Sequence, residues 1–167
     1  MGTDIHQLNI IKQRDRIVLE GDARIFAKGP SMPMVEDYKT IEEILPGRFY
    51  DMFAIVAGVR GSMFQERCFS HEGVPKELEK FDLNLEDLHS FIWYYAGDLA
   101  EAMRQAATKI SLYARTYLIE DDKYEAGGYE DISSECSKIA AKIERGLKKH
   151  GYSANGDQVV VLLYFDS

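Results

Sequence analysis

Val159-Val160-Val161-Leu162-Leu163-Tyr164-Phe165 is the stretch that decides the fold. β-Branched and aromatic side chains suit a pleated strand. The run has no polar alternation, so it reads as a strand over 158–165 covered on both faces, in a central position. It is far too short to span a bilayer. Residues 4–11 read as a second strand, with His6, Leu8 and Ile10 on one face and Ile5 and Ile11 on the other.

Working inward, Gln13-Arg14-Asp15 is a polar turn, and residues 16–20 read as a hairpin partner of the first strand. Gly21-Asp22 signals another turn, with a third strand expected at 23–27. Pro30 and Pro33 mark a loop. Thr40 is expected to cap a short helix that Pro46-Gly47 ends. Residues 50–60 read as a helix with almost no polar face, hence buried, with Gly61 as its C′ residue. Residues 62–74 read as a loop, and Pro75 opens a small helix through Phe81. Residues 90–94 are aromatic and β-prone. Asp98 is expected to cap a helix running to about 118, on the stripe Leu99, Ala102, Met103, Ala106, Ile110, Tyr113 and Tyr117. The acidic stretch 120–131, with Gly127-Gly128, reads as a loop. Asp131 then caps a last helix, on the stripe Ile132, Cys136, Ile139, Ile143 and Leu147, that Gly151 ends. Strands at both ends with helices between them predict one α+β domain over 1–167. Its sheet is expected to be antiparallel or mixed, with helices packed on it.

The chain of 167 residues is long enough to bury a core without a disulfide or metal staple. Its net charge of −8 argues against nonspecific binding to long nucleic acid. Two cysteines, Cys68 and Cys136, without a C-x-x-C, argue against cysteine-rich zinc and suit a reducing cytoplasm. The sequence has neither a signal-peptide pattern nor a membrane-spanning run. There is no Walker or Rossmann glycine loop and no nucleophile elbow.

Four segments carry a resemblance. They are Gly2-Thr3-Asp4-Ile5-His6, the stretch from Arg48-Phe49-Tyr50-Asp51-Met52-Phe53-Ala54 to Gly58-Val59-Arg60, Asp87-Leu88-His89-Ser90, and Leu163-Tyr164-Phe165-Asp166-Ser167. In this order they resemble a family of small phage and prophage proteins that open with Gly-Cys-Asp-Ile-His. That family continues with an Arg-x-Tyr-x-Leu-Phe-Ala helix, a Gly-Leu-Pro turn (here Gly73-Val74-Pro75), a His-Ser-His-Ser segment and a closing Phe-Asp pair. Thr3 stands where the family has cysteine, which removes that cysteine as a nucleophile or ligand. Phe91 stands at the second histidine. The resemblance implies a phage context, the cytoplasm of an infected host cell, and a small accessory role, but no particular reaction.

Two constellations point to chemistry. Asp4 and His6 share a strand face, and with His89 and Asp166 they could hold a divalent metal that activates water. The plainer alternative is that Asp4 and His6 pin the first strand by hydrogen bonds. Arg48 and Arg60 bracket the apolar helix and present planar forks suited to phosphate, while Tyr50 and Trp93 offer stacking faces and His89 lies in a motif segment. This predicts a site for a small anionic, nucleotide-like ligand, with a homodimer as one way to bring two arginines together. The plainer alternative there is arginine–carboxylate pairing within the core. The expected function is a phage accessory protein that sequesters a nucleotide signal of host antiviral defence. A metal-dependent phosphodiester or nucleotide hydrolase and an inhibitor of a host enzyme are the alternatives.

Overall fold

In the computed structural model the described residues are 4–45, 54–56, 69–117 and 123–166. The strands are β1 (Ile5–Lys12), β2 (Ile17–Gly21), β3 (Val35–Glu36), β4 (His71–Glu72), β5 (Leu88–Tyr95) and β6 (Val159–Asp166). The helices are α1 (Ala96–Tyr117) and α2 (Lys123–Lys149), with a short 3-10 turn at Lys76–Leu78. One six-stranded sheet runs in the order β3-β2-β1-β6-β5-β4. All neighbours are antiparallel except β2 and β3. The domain is therefore α+β with a mixed sheet.

The apolar run 159–165 forms β6, next to the middle of the sheet, and all seven of its residues are buried. Its odd positions enter the core beneath the helices, with Ile5 and Ile11 of β1, Ile92 and Tyr94 of β5, and Leu99, Met103, Ala106 and Ile110 of α1. Its even positions enter a second core with Leu8, Ile10, Leu19, Ile25, Phe26 and Leu78, beneath the 23–27 and 74–83 segments. Burial on both faces explains why the run carries no polar alternation.

The two helices form an antiparallel pair. Ser133 Oγ donates to the Ala107 carbonyl, and Arg104 meets Glu144 in a two-pronged ion pair at 2.7 and 2.8 Å. α2 ends in a Schellman arrangement: Tyr152 N–H donates to Leu147 O, Gly151 N–H to Lys148 O, and Gly151 takes φ +75°.

Three local expectations are corrected. Residues 23–27 do not form a strand but a turn, with Phe26 N–H on Ala23 O, plus an isolated bridge from Phe26 to Leu83. Residues 40–45 are not helical. Buried side chains of the sheet take their backbone groups instead: Asn9 donates to Ile41 O, Gln7 donates to Glu42 O, and Ile44 N–H donates to Gln7 Oε1. Thr40 caps nothing; its N–H and hydroxyl both donate to the buried carboxylate of Glu20, which also accepts from Lys39 N–H. Finally, α2 begins at Lys123, so the expected loop within 120–131 is helical from there on. The glycines reduce helix propensity, but contacts to α1 offset that cost. Tyr129 meets Tyr113 at 5.3 Å and Ser111 Oγ donates to Glu130. Of the apolar helix at 50–60, residues 54–56 are described; they are helical and buried.

Candidate functional site

The start of β1, the start of β5, the end of β6 and the turn after β2 meet at one end of the sheet. Pairing sets Ile5 against Phe165, Leu88 against Asp166 and His89 against Phe165. Three of the four segments that carry the resemblance are thereby brought to one place.

His6 sits at the centre, with 7% of its side chain exposed. Its ring stacks on Tyr164 at 5.2 Å, and Tyr164 stacks in turn on Phe91. Nδ1 lies 2.7 Å from Asp22 Oδ2, and Nε2 lies 3.1 Å from Asp166 Oδ2. A carboxylate only accepts, so an imidazole that satisfies both must carry a proton on each nitrogen. Burial favours the neutral ring, but the hydrogen bonds to Asp22 and Asp166 outweigh it and raise the His6 pKa above its ordinary value.

Asp166 is the most heavily used carboxylate of the group. It accepts from Asp4 N–H at 2.8 Å, from His6, and from Arg24 at 2.6 Å. The Asp4 N–H contributes most to lowering its pKa; His6 and Arg24 add to this against a burial penalty. Asp22 is pushed up by burial, yet the bonds from His6 and from Arg24 N–H carry its pKa below the usual value. Asp22 follows the Gly21 turn, and its Oδ1 takes Arg24 N–H at 2.7 Å, which fixes the turn. Gly21 has φ +116°, and a Cβ there would strike Tyr38 and the Gln7 carbonyl, so only glycine fits.

A groove of about 1130 Å³ opens beside this cluster. Asp22, Arg24 and Asp166 form part of its lining, with Phe26, Leu83 and Leu88 as apolar surface and Lys28, Asn84, Glu86 and Asp87 as further polar groups. Asp87 and Ser90 on its β5 side adopt φ +63° and +58°, a region that costs a non-glycine residue on the order of 1 kcal/mol. Ser90 falls within the register shift of β5 against β6 between His89 and Ile92. The shift lets His89 and Ile92 both oppose odd-numbered residues of β6.

The expected metal set is only partly assembled. Asp4, His6 and Asp166 meet, but Asp4 takes part through its backbone N–H. His89 does not join them. It opposes Phe165, whose side chain enters the helix-side core, whereas His6 opposes Tyr164 on the other face. Both nitrogens of His6 are already committed to carboxylates, so neither offers a lone pair. Among the described residues no group of three or more His, Cys, Asp and Glu could hold a metal ion.

Of the expected ligand set of Arg48, Tyr50, Arg60, His89 and Trp93, the structure describes His89 and Trp93, and it does not bring these two together. Arg48, Tyr50 and Arg60 lie outside the described residues. Trp93 opposes Leu162 on the face away from the helices and stacks on His71 at 4.0 Å, so it and His89 occupy opposite faces. Sequence reasoning missed Asp22 and Arg24. The signal was present in Gly21-Asp22, a carboxylate directly after a strand paired with the one that carries His6.

No helix among the described residues is long and apolar enough to cross a membrane. No family model, no curated protein and no solved structure matches this chain, which leaves the geometry of this sheet end to carry any functional reading.

Proposed function

We propose that the protein binds a small, anionic, nucleotide-like ligand in the groove beside Arg24. The observation that carries this reading is the meeting of two resemblance segments, through Asp87, Leu88 and Asp166, on the wall of one concavity of about 1130 Å³, with His6 of a third segment bonded to Asp166 behind that wall. Small-molecule pockets are commonly about 300–1000 Å³, so an open groove of this size accommodates a nucleotide. Asp166 holds the Arg24 side chain, half of which stays open to solvent. A guanidinium fixed in this way is pre-oriented for a phosphate. The groove carries the cations Arg24 and Lys28 against the carboxylates Asp22, Glu86, Asp87 and Asp166. His6 behind the wall offsets one more of these charges, so the phosphate contact rests on the Arg24 fork rather than on net charge. Asn84 and Asp87 can accept N–H groups from a base, and Phe26 and Leu83 give it apolar contact. The resemblance to phage proteins supplies only the context, a small accessory role in an infected cell; holding such a ligand there would sequester a nucleotide signal of host defence.

Calorimetry with linear and cyclic nucleotides, and mass spectrometry of material released on heat denaturation, test this. One nucleotide is expected to bind at micromolar strength or better, and Arg24→Ala to weaken it at least tenfold, about 1.4 kcal/mol. Absence of any bound or released nucleotide overturns the reading. Turnover of a nucleotide in the presence of divalent ions replaces it with the hydrolase alternative.

A further inference from the structure

A second concavity, of about 370 Å³, lies where the last turns of α2 pack against residues 39–42. Among the described residues, Lys39, Lys142, Arg145 and Lys149 line it, with Glu42 as the one carboxylate. Four cations against one anion give a local balance of +3 in a chain whose net charge is −8. Lys142, Arg145 and Lys149 fall at i, i+3 and i+7, so they share one helix face and repel one another.

The negative end of the helix dipole does not account for this group. Its effect fades within the last turn, which accounts for Lys148 and Lys149. Lys142 and Arg145 precede that turn, and Lys39 comes from another segment altogether. Lys142 is partly engaged by the Glu43 carbonyl at 3.3 Å, and Lys39 by Glu36 at 3.2 Å. Arg145 and Lys149 have no ion pair among the described residues.

The pocket is also built rather than incidental. A Cβ on Gly146 would collide with the Thr40 carbonyl, so glycine is what lets the helix backbone touch the 39–42 segment. The buried carboxylate of Glu20 fixes that segment from below through Lys39 N–H, Thr40 N–H and the Thr40 hydroxyl. Lys39 is therefore presented on a backbone held at both sides.

We propose that this pocket is a binding site for a compact phosphate-bearing anion, recognised through its phosphoryl oxygens. Among the described residues its lining is cationic and polar, without an aromatic side chain, which favours recognition through phosphoryl oxygens. Clustered ammonium and guanidinium groups match a di- or triphosphate better than a single phosphate. The site is separate from the Arg24 groove and does not depend on the reading given for that groove.

Isothermal calorimetry of the full chain with inorganic triphosphate, pyrophosphate and phosphate is the test. Saturable one-to-one binding is expected, strongest for triphosphate. Arg145→Glu and Lys149→Glu are expected to weaken it tenfold or more. Lys148→Glu, with the same change of charge outside the pocket, is expected to alter it less than twofold, and Arg24→Ala to leave it unchanged. Gly146→Ala, which keeps every charge but displaces the wall, is expected to weaken it as well. Equal losses for Lys148→Glu and Arg145→Glu reduce the effect to general charge and overturn the site. So does absence of saturable binding by any of the three anions. Sedimentation with phosphatidylserine vesicles but no binding of the free anions also overturns it, in favour of a membrane surface.

Discussion

His6 Nε2 lies 3.1 Å from Oδ2 of Asp166, a contact that joins the start of β1 to the end of β6 across 160 positions. The opposite side of the same ring holds Asp22. One protonated imidazole thus ties the central strand pair to the turn that carries Arg24.

That arrangement fixes the sign of the pH response. The folded pKa of His6 is raised, so its contribution is complete below the unfolded value of about 6.5 and is lost as pH rises through the folded pKa. The folded pKa values of Asp22 and Asp166 are lowered, so their contribution is present above about 3.8 and lost as pH falls through those values. Stability from this cluster is therefore greatest between roughly pH 4 and 6.5. Urea midpoints are expected to fall between pH 6 and pH 9, and the His6→Gln variant to show a smaller fall. A variant with an unchanged slope contradicts this account.

Removing the ring altogether costs more than titrating it. His6→Ala deletes two charge-assisted hydrogen bonds and leaves a void against Tyr164, for an expected loss of about 2–4 kcal/mol. Equilibrium denaturation at pH 6 measures this directly, and a loss below about 0.5 kcal/mol would mean that the cluster is slack in solution.

Tyr94 donates its hydroxyl to the Val56 carbonyl, a polar tie that adds to the core packing of Ile55 and Val56 against the sheet. Tyr94→Phe keeps the ring and strands that buried carbonyl. It is expected to cost about 1–3 kcal/mol, with faster hydrogen exchange of the amides around residue 56. Unchanged exchange there would show that the tie is not needed.

Glu20→Gln removes the charge from a group that gathers three donors around residues 39 and 40. A loss of about 1–3 kcal/mol is expected, together with weaker triphosphate binding, because the same segment presents Lys39. Lost stability with intact anion binding would separate the two roles of that carboxylate.

The sequence made the sheet legible where periodicity was strong. The alternating faces of β1 and the doubly apolar β6 stand as read, as do the stripe of α1 and the Gly151 stop. The failures share one cause, which is partners distant in the chain. Residues 40–45 look helical in isolation, yet Gln7 and Asn9 claim their backbone groups from more than thirty positions away. Gly127-Gly128 looks like a break, yet α1 supplies a surface for a helix to lie on. The site was half legible for the same reason. His6 and Asp166 stood out as strand-end residues of the resemblance segments. Asp22 and Arg24 acquire a role only once the turn after β2 folds back beside them.

The pairing of β1 with β6 also governs when the domain can form. Residues 5–12 wait for residues 159–166 before they gain the neighbour that buries them. Closing so long a loop is entropically costly and slow. During synthesis the first hairpin, β1 with β2, has no sheet to join, and its apolar residues stay uncovered until almost all of the described chain has been made. A growing chain of this kind is at its most aggregation-prone late in translation. A truncation before Val159 is expected to be lost to chaperones and proteases rather than to persist as a partial fold.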